Sequence, residues 1–207
     1  NHVKKLICSI DECVRKDVTI ESLNELKPSF EELGKNGVDD LQLNYFPQIK
    51  SISHVHTAGN SPAMADAAAL TLLSNSNNSS SNKVQARAII KDIAVINDDP
   101  LLVLSGCVKA TQELLKKTQL TVNDVDLFEI HEAFASTIIF AQRKLKIPEE
   151  KLNVNGGCIA LGHPMGATGS IMLSSLIDEM ERQDLKTGIV ATSGAAGAGT
   201  ALLIERL

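Results

Sequence analysis

Five glycines within seventeen residues constrain this chain more than any other feature. They lie in Asn153-Val-Asn-Gly-Gly-Cys-Ile-Ala-Leu-Gly-His-Pro-Met-Gly-Ala-Thr-Gly169, and a single imidazole, His163, stands among them. Without a Cβ a residue adopts positive φ and lets other groups approach its backbone closely. Gly162-His163-Pro164 therefore aims one imidazole out of a tight turn, and Pro164 suits the first turn of a following helix. Leu173, Leu176, Ile177 and Met180 recur at i, i+3, i+4 and i+7, which gives that helix one buried face. A plain strand-to-helix turn explains two glycines, not five around one base, so the stretch is a candidate active-site loop.

The rest of the chain alternates strand and helix patterns. His2–Ile7 reads as a strand. Ile20, Leu23, Leu26 and Lys27 predict a short helix that Pro28 stops near Lys27, and Gly34 and Gly37 mark a loop. A strand is expected over Ile49–Ala58 and an alanine-rich helix from Pro62 to about Leu73. Asn75–Asn82, polar and of low complexity, is expected to be a mobile surface insertion. Further on, Arg87–Ile96 predicts a strand and Asp99-Pro100 opens a helix with the stripe Leu104, Val108, Thr111 and Leu115. Val125–Ile130 predicts a buried strand running into a helix that begins at His131, with Phe134, Ile138, Ala141 and Leu145 in line. Thr187–Thr192 and Thr200–Glu205 predict a last, antiparallel pair. These elements make an α/β fold with a mixed β-sheet and packed helices.

Composition narrows the function classes. The net charge is −5 with no basic run, which argues against nucleic acid as the main partner, and no apolar run is long enough to span a membrane. Cys8, Cys13, Cys107 and Cys158 are scattered, so reduced thiols in an intracellular compartment are expected rather than a disulfide scaffold or zinc site. His54-Val-His56 has a spacing that metal sites use, but no third ligand stands nearby and no metal is expected there.

Asn153–Gly169 resembles the NVNGGAIALGHPxGATG signature of the thiolases, which make or break β-ketoacyl-CoA. The resemblance also runs through Asp11–Arg15, Thr19–Pro28, Thr57-Ala-Gly-Asn-Ser61, His131-Glu-Ala-Phe-Ala135 and Ile204-Glu-Arg206. It implies the C-terminal half of the thiolase fold. Residues 1–50 would end the loop (lid) domain and 51–207 form the C-terminal domain, with the Asn/Ser insertion at 75–82. Family members are roughly twice as long, so a fragment is expected, with central helices left exposed and a missing N-terminal half as partner.

The resemblance also implies roles. His163 matches the histidine that activates the nucleophilic cysteine and holds a thioester oxygen in an oxyanion hole, work that suits an imidazole near neutral pH. His131 takes the place of an Asn or His that positions a water beside it. Glu132 matches an orienting glutamate, although a first-turn glutamate is also favoured at any helix N-terminus. Ser61, Pro62 and Gly162 fall in coenzyme-contacting segments. Coenzyme A and acetyl-CoA are then substrates, with no permanently bound cofactor. At full length a homo-oligomer, dimer or tetramer, is implied, and the compartment stays open between mitochondrion, peroxisome and cytoplasm. Thiolases of bulky, steroid-like acyl-CoA breakdown carry a segment similar to His54-Val-His-Thr57.

The chain departs from the family at several functional positions. No cysteine matches the nucleophile. The second catalytic cysteine is replaced by Ser193, in Ser193-Gly-Ala-Ala-Gly-Ala-Gly199, and a hydroxyl is a poor substitute for a thiol as an α-proton base. Ala195 and Ala196 add Cβ atoms where the second oxyanion hole belongs. Pro62, Ala63 and Ala67 replace Ser, Gly and Gly. Ala133 stands where some relatives place a rescuing cysteine. Cys158 stands where the family has alanine, and is expected to be a small packing residue rather than a replacement base. Two readings stay open: a thiolase-type acetyltransferase completed by its other half, or an inactive thiolase-like subunit that binds acyl-CoA or supports a partner. A serine hydrolase is set aside, because Ser193 is not in a GxSxG elbow.

Overall fold

The structure, a computed structural model, describes residues 9–75 and 85–207. The strand expected at His2–Ile7, and all of the polar insertion except Asn75, lie outside the described residues. Four strands, β1 (Ala88–Asn97), β2 (Leu127–Ile130), β3 (Thr187–Ser193) and β4 (Ala198–Arg206), form one sheet in the order β1-β4-β3-β2. β4 runs antiparallel to both β1 and β3, while β2 and β3 are parallel. The mixed sheet and the antiparallel last pair are as the sequence predicts.

Alternation along β3 sorts its side chains to two faces. Ile189 and Ala191 join one core with Phe128, Ile130 and Leu203. Val190 points to the other, with Leu127 and Ile204. Helices α4 (Gly106–Thr118) and α5 (Ala135–Leu145) cover the first face through Cys107, Ala110, Leu114, Ala141 and Leu145. The second face is covered by α7 (Thr168–Arg182) through Met172, Leu176 and Met180. Central helices are expected to lie exposed in an isolated half, yet in α7 Leu176 and Met180 are 1% and 0% exposed, because β2 and β3 cover the buried face that their spacing predicts. α4 starts six residues later than Pro100 suggests. Residues 100–105 form turns first, and Ser105 takes the N-cap position.

The N-terminal third departs most from expectation. α1 (Ile20–Asn24) is held by a reciprocal cap in which the Ser22 N–H donates to Thr19 Oγ1 and the Thr19 N–H to Ser22 Oγ, both at 3.1 Å. It ends at Asn24, short of Lys27. In place of a loop at Gly34–Gly37, residues 31–45 are helical, as α2 (Glu31–Leu33), a wide π-turn over Gly34–Val38 and α3 (Asp39–Tyr45). Gly37, at φ +107°, supplies the kink between them.

The strand expected at Ile49–Ala58 does not form, and neither does the helix from Pro62 to Leu73. Alternation and alanine content are weak priors, and a short segment becomes regular only when it packs. Here Leu70 is 94% and Leu72 74% exposed, and among the described residues nothing packs over them. An edge-to-face trio of Phe30, His56 and Phe134 ties the irregular stretch to the body, with centroids 4.8–6.0 Å apart.

Candidate active site

The parallel strands β2 and β3 end side by side, and the site lies at those ends. His131 continues β2 by one more ladder bond, its N–H donating to Ala191 O at 2.9 Å. No helix begins at His131. Residues 131–134 form a bend, and α5 starts at Ala135. Its side chain is therefore fixed by the sheet. It is 7% exposed, and its Nε2 is buried with no hydrogen-bond partner among the described residues.

The glycine-rich stretch wraps back onto the same edge. The Asn153 N–H donates to Phe128 O, and the Asn153 side chain pairs with the Ile130 backbone on both sides, at 2.7 and 2.9 Å. The chain then turns into α6 (Cys158–Leu161). Gly162, at φ +86°, leads to His163. The His163 N–H donates to Ala63 O at 2.8 Å, which fixes the turn against residues 63–64.

Glu132 holds this stretch in place. Its carboxylate accepts from Asn153 Nδ2 at 3.0 Å and from the Ile159 N–H at 3.1 Å, so it caps α6 from across the site. A Cβ on Gly157 would lie 2.3 Å from Glu132 Cδ, which explains a glycine at that position. Because α5 begins three residues later, Glu132 is not a first-turn residue of any helix. Its orienting contacts replace the helix-dipole explanation.

The two imidazoles meet. Their ring centroids are 4.5 Å apart at a 41° tilt. His163 Nδ1 is 2.7 Å from the hydroxyl of Thr168, the buried first residue of α7, which leaves its Nε2 for the site. Burial lowers the pKa of His163. Burial, with His163 alongside as a second cause, lowers His131 to about 4, and the Ser193 backbone partly opposes this. Both rings are thus neutral at pH 7, able to accept a proton or to bind a cation.

Cys158 joins them. Its sulfur and one nitrogen of each imidazole lie within 4.8 Å of one another. The thiol faces the histidines instead of only filling space, yet burial pushes it up to about 11, so it is a poor thiolate source. Nothing in the sequence announced this approach apart from the five-residue spacing to His163.

The other candidate positions are placed less centrally. Ser193 ends β3, and its hydroxyl is engaged on both sides: it donates to Leu104 O at 2.8 Å and accepts from the Cys107 N–H at 2.9 Å. It pins the start of α4 to the sheet. Ala195 is exposed in the turn after it, where Ala196 takes a left-handed φ of 57°. Ser61 Oγ donates to Thr57 O at 2.7 Å. His54 and His56, far from sharing a ligand, take separate partners in Asp39 and Ser136.

A cavity of about 720 Å³ opens beside the cluster, lined by Gly162, Cys158, Met172 and Glu129 among others, but not by Ser61 or Pro62. Asp11, Glu12 and Asp66 also line it, and among the described residues no lysine or arginine does. Glu129, missed by sequence reasoning, is 5% exposed, and burial, with Glu132 and Glu179 adding to it, pushes its carboxyl up to about 8.

Two imidazoles thus converge at the ends of the parallel strands of a mixed sheet, one of them on a glycine loop before a packed helix. The model of the thiolase C-terminal domain matches residues 84–206. The peroxisomal 3-ketoacyl-CoA thiolase 1 of Arabidopsis thaliana is 35% identical over 205 residues, 98% of this chain and 42% of that protein. The 3-ketoacyl-CoA thiolase of Klebsiella pneumoniae is 35% identical over 200 residues, 95% of this chain and 47% of its own. The acetyl-CoA acetyltransferase structure from Bacillus anthracis superposes with a TM-score of 0.81 at 32% identity, covering 99% of this chain and 48% of that one. The chain belongs to the thiolase family. It spans about half the length of the relatives it matches.

Proposed function

We propose that the chain is the C-terminal half of a thiolase-type acyl-CoA acetyltransferase, residues 51–207 forming its C-terminal domain and residues 1–50 the end of a lid. The reaction class is thiolysis or Claisen condensation of β-ketoacyl-CoA, as in the acyl-CoA breakdown of the related 3-ketoacyl-CoA thiolases. The observation that carries this reading is the neutral His131–His163 pair with centroids 4.5 Å apart, adjoining a cavity that their neighbours Cys158, Gly162 and Thr168 line.

In this reading a cysteine from an N-terminal half, within a longer polypeptide or from a partner, supplies the nucleophile. His163, held through Nδ1 by Thr168, uses its free Nε2 to take the thiol proton. The sulfur attacks the 3-keto carbon, and the C2–C3 bond breaks with its electron pair moving to C2. C2 takes the proton held by His163 to release acetyl-CoA, and the S-acyl cysteine then passes its acyl group to the thiol of coenzyme A. His163, once protonated at Nε2, offers the oxyanion hydrogen bond, His131 positions a water beside it, and Glu132 is the positioning residue. Coenzyme A is substrate, with no resident cofactor. The cavity, with no lysine or arginine among its described lining residues, suits a pantetheine arm and acyl chain better than the nucleotide phosphates.

A second reading is favoured by Ser193. Its O–H is committed to Leu104 O and its oxygen already accepts from the Cys107 N–H, which holds the hydroxyl in a structural role and leaves it a poor α-proton base. A subunit that binds acyl-CoA without turnover then follows. Thiolysis of acetoacetyl-CoA separates the two: the 207-residue chain alone should show none. A polypeptide joining it to an N-terminal half should turn over, and should lose about 10²–10⁴ in rate in His163→Ala. Full activity in His163→Ala would exclude the first reading, and no activity in the joined protein would favour the second.

A further inference from the structure

We infer that His131, Cys158 and His163 form a zinc-binding site. His131 Nε2 is buried without a partner among the described residues, on a side chain only 7% exposed. Such an orphaned nitrogen carries a desolvation cost that a ligand would remove. One nitrogen of each imidazole and the Cys158 sulfur lie within 4.8 Å of one another, a grouping of three ligand atoms found once among the described residues. A tetrahedral zinc ion holds nitrogen and sulfur donors about 3.3–3.6 Å apart, so side-chain rotations that close the widest gap by about 1.2 Å bring the set to bonding distance.

The chemistry of the donor set selects the ion. Two imidazoles and one thiolate are borderline-to-soft ligands that calcium and magnesium avoid and zinc accepts, typically as three protein ligands with an open fourth position. Cys158 lines the cavity, so that fourth position can be taken by water. Asp11, Glu12 and Asp66 line the same cavity, and their carboxylates favour a cation there. Thr168, 2.7 Å from His163 Nδ1, orients that ring from behind, as outer partners of metal-bound histidines do. On binding, the Cys158 S–H releases its proton to solvent as the Zn–S bond forms, with no change of oxidation state. The inference needs these three side chains together, not acyl transfer. If acyl transfer also holds, zinc occupies both imidazoles and blocks it.

The test uses the reduced, chelator-treated chain, titrated with Co²⁺ by absorbance and then with Zn²⁺ by calorimetry. One equivalent of Co²⁺ should produce a near-ultraviolet thiolate-to-metal band that Zn²⁺ abolishes by displacement. Cys158→Ala should remove the band and weaken Zn²⁺ about 100-fold or more, since even outer-sphere partners are worth 10–100-fold. Thr168→Ala should weaken Zn²⁺ about tenfold while Thr168→Ser restores it. If Cys158→Ala does not fold, Cys158→Ser serves in its place. No band in the wild type, or a band that survives loss of the Cys158 thiol, overturns the site.

Discussion

Replacing Glu132 should loosen the glycine-rich loop and lower global stability together. The carboxylate accepts two hydrogen bonds, from Asn153 Nδ2 at 3.0 Å and the Ile159 N–H at 3.1 Å. Hydrogen bonds to a charged group are each worth about 1.5–3 kcal/mol, and partial solvent access places these at the low end. Glu132→Ala therefore should cost about 2–4 kcal/mol, part of it from leaving the Ile159 N–H unpaired at the start of α6. Glu132→Gln keeps the shape, but its oxygen serves one donor while its NH₂ faces the other, so about half that loss is expected. Urea unfolding with an unchanged m-value would read the loss as a lowered midpoint. Amide exchange should accelerate at Ile159 well before it does at Val190 in β3. If Glu132→Ala stays within about 0.5 kcal/mol of wild type and Ile159 exchange is unchanged, the carboxylate does not hold the loop.

Ser193→Ala should destabilise the chain by about 1–3 kcal/mol, because Cys107 N–H and Leu104 C=O lose a buried partner; a neutral result in thermal unfolding would contradict the pinning of α4. Glu129, raised to about 8 in the folded state from an ordinary 4.5, keeps a proton that the unfolded chain releases, so it lowers stability as pH rises from 4.5 through 8. His131, lowered from 6.5 to about 4, lowers stability as pH falls through that range instead. Of the two, only Glu129 acts between pH 6.5 and 8, where the loss should approach about 2 kcal/mol and vanish in Glu129→Gln; a wild-type Tm flat across that window would refute its buried proton. The chain should also self-associate, through exposed Leu70, Leu72 and Val95 more than through α7, and light scattering showing a compact monomer at high concentration would count against it.

The fold was legible where the sequence carries its own packing. Val108, Thr111 and Leu115 mark the buried face of α4, and Leu176 and Met180 that of α7, because both helices meet strands of the same chain. It was not legible at Ile49–Ala58 or Pro62–Leu73, where alternation and alanine content predict order but nothing among the described residues covers Leu70. At the site, His163 and His131 were marked by their glycine loop and their place after a strand. Their mutual approach depends on the parallel pairing of β2 with β3 and on Asn153 folding back along β2, which local pattern does not encode. The turn of Cys158 toward both rings has the same origin. So does the engagement of Ser193, since Leu104 and Cys107 lie 89 and 86 residues away in sequence.

The central claim is that His131 and His163 form one unit of two neutral, interacting imidazoles. Nitrogen-detected NMR of the ring resonances against pH tests it most directly. His131 should titrate near 4, and His163 below its ordinary 6.5. In His163→Ala the His131 value should rise yet stay below 6.5, since burial is the larger cause and the neighbouring ring the smaller. A His131 that titrates near 6.5 in the wild type, unmoved by His163→Ala, would contradict the pairing on which the proposed chemistry depends.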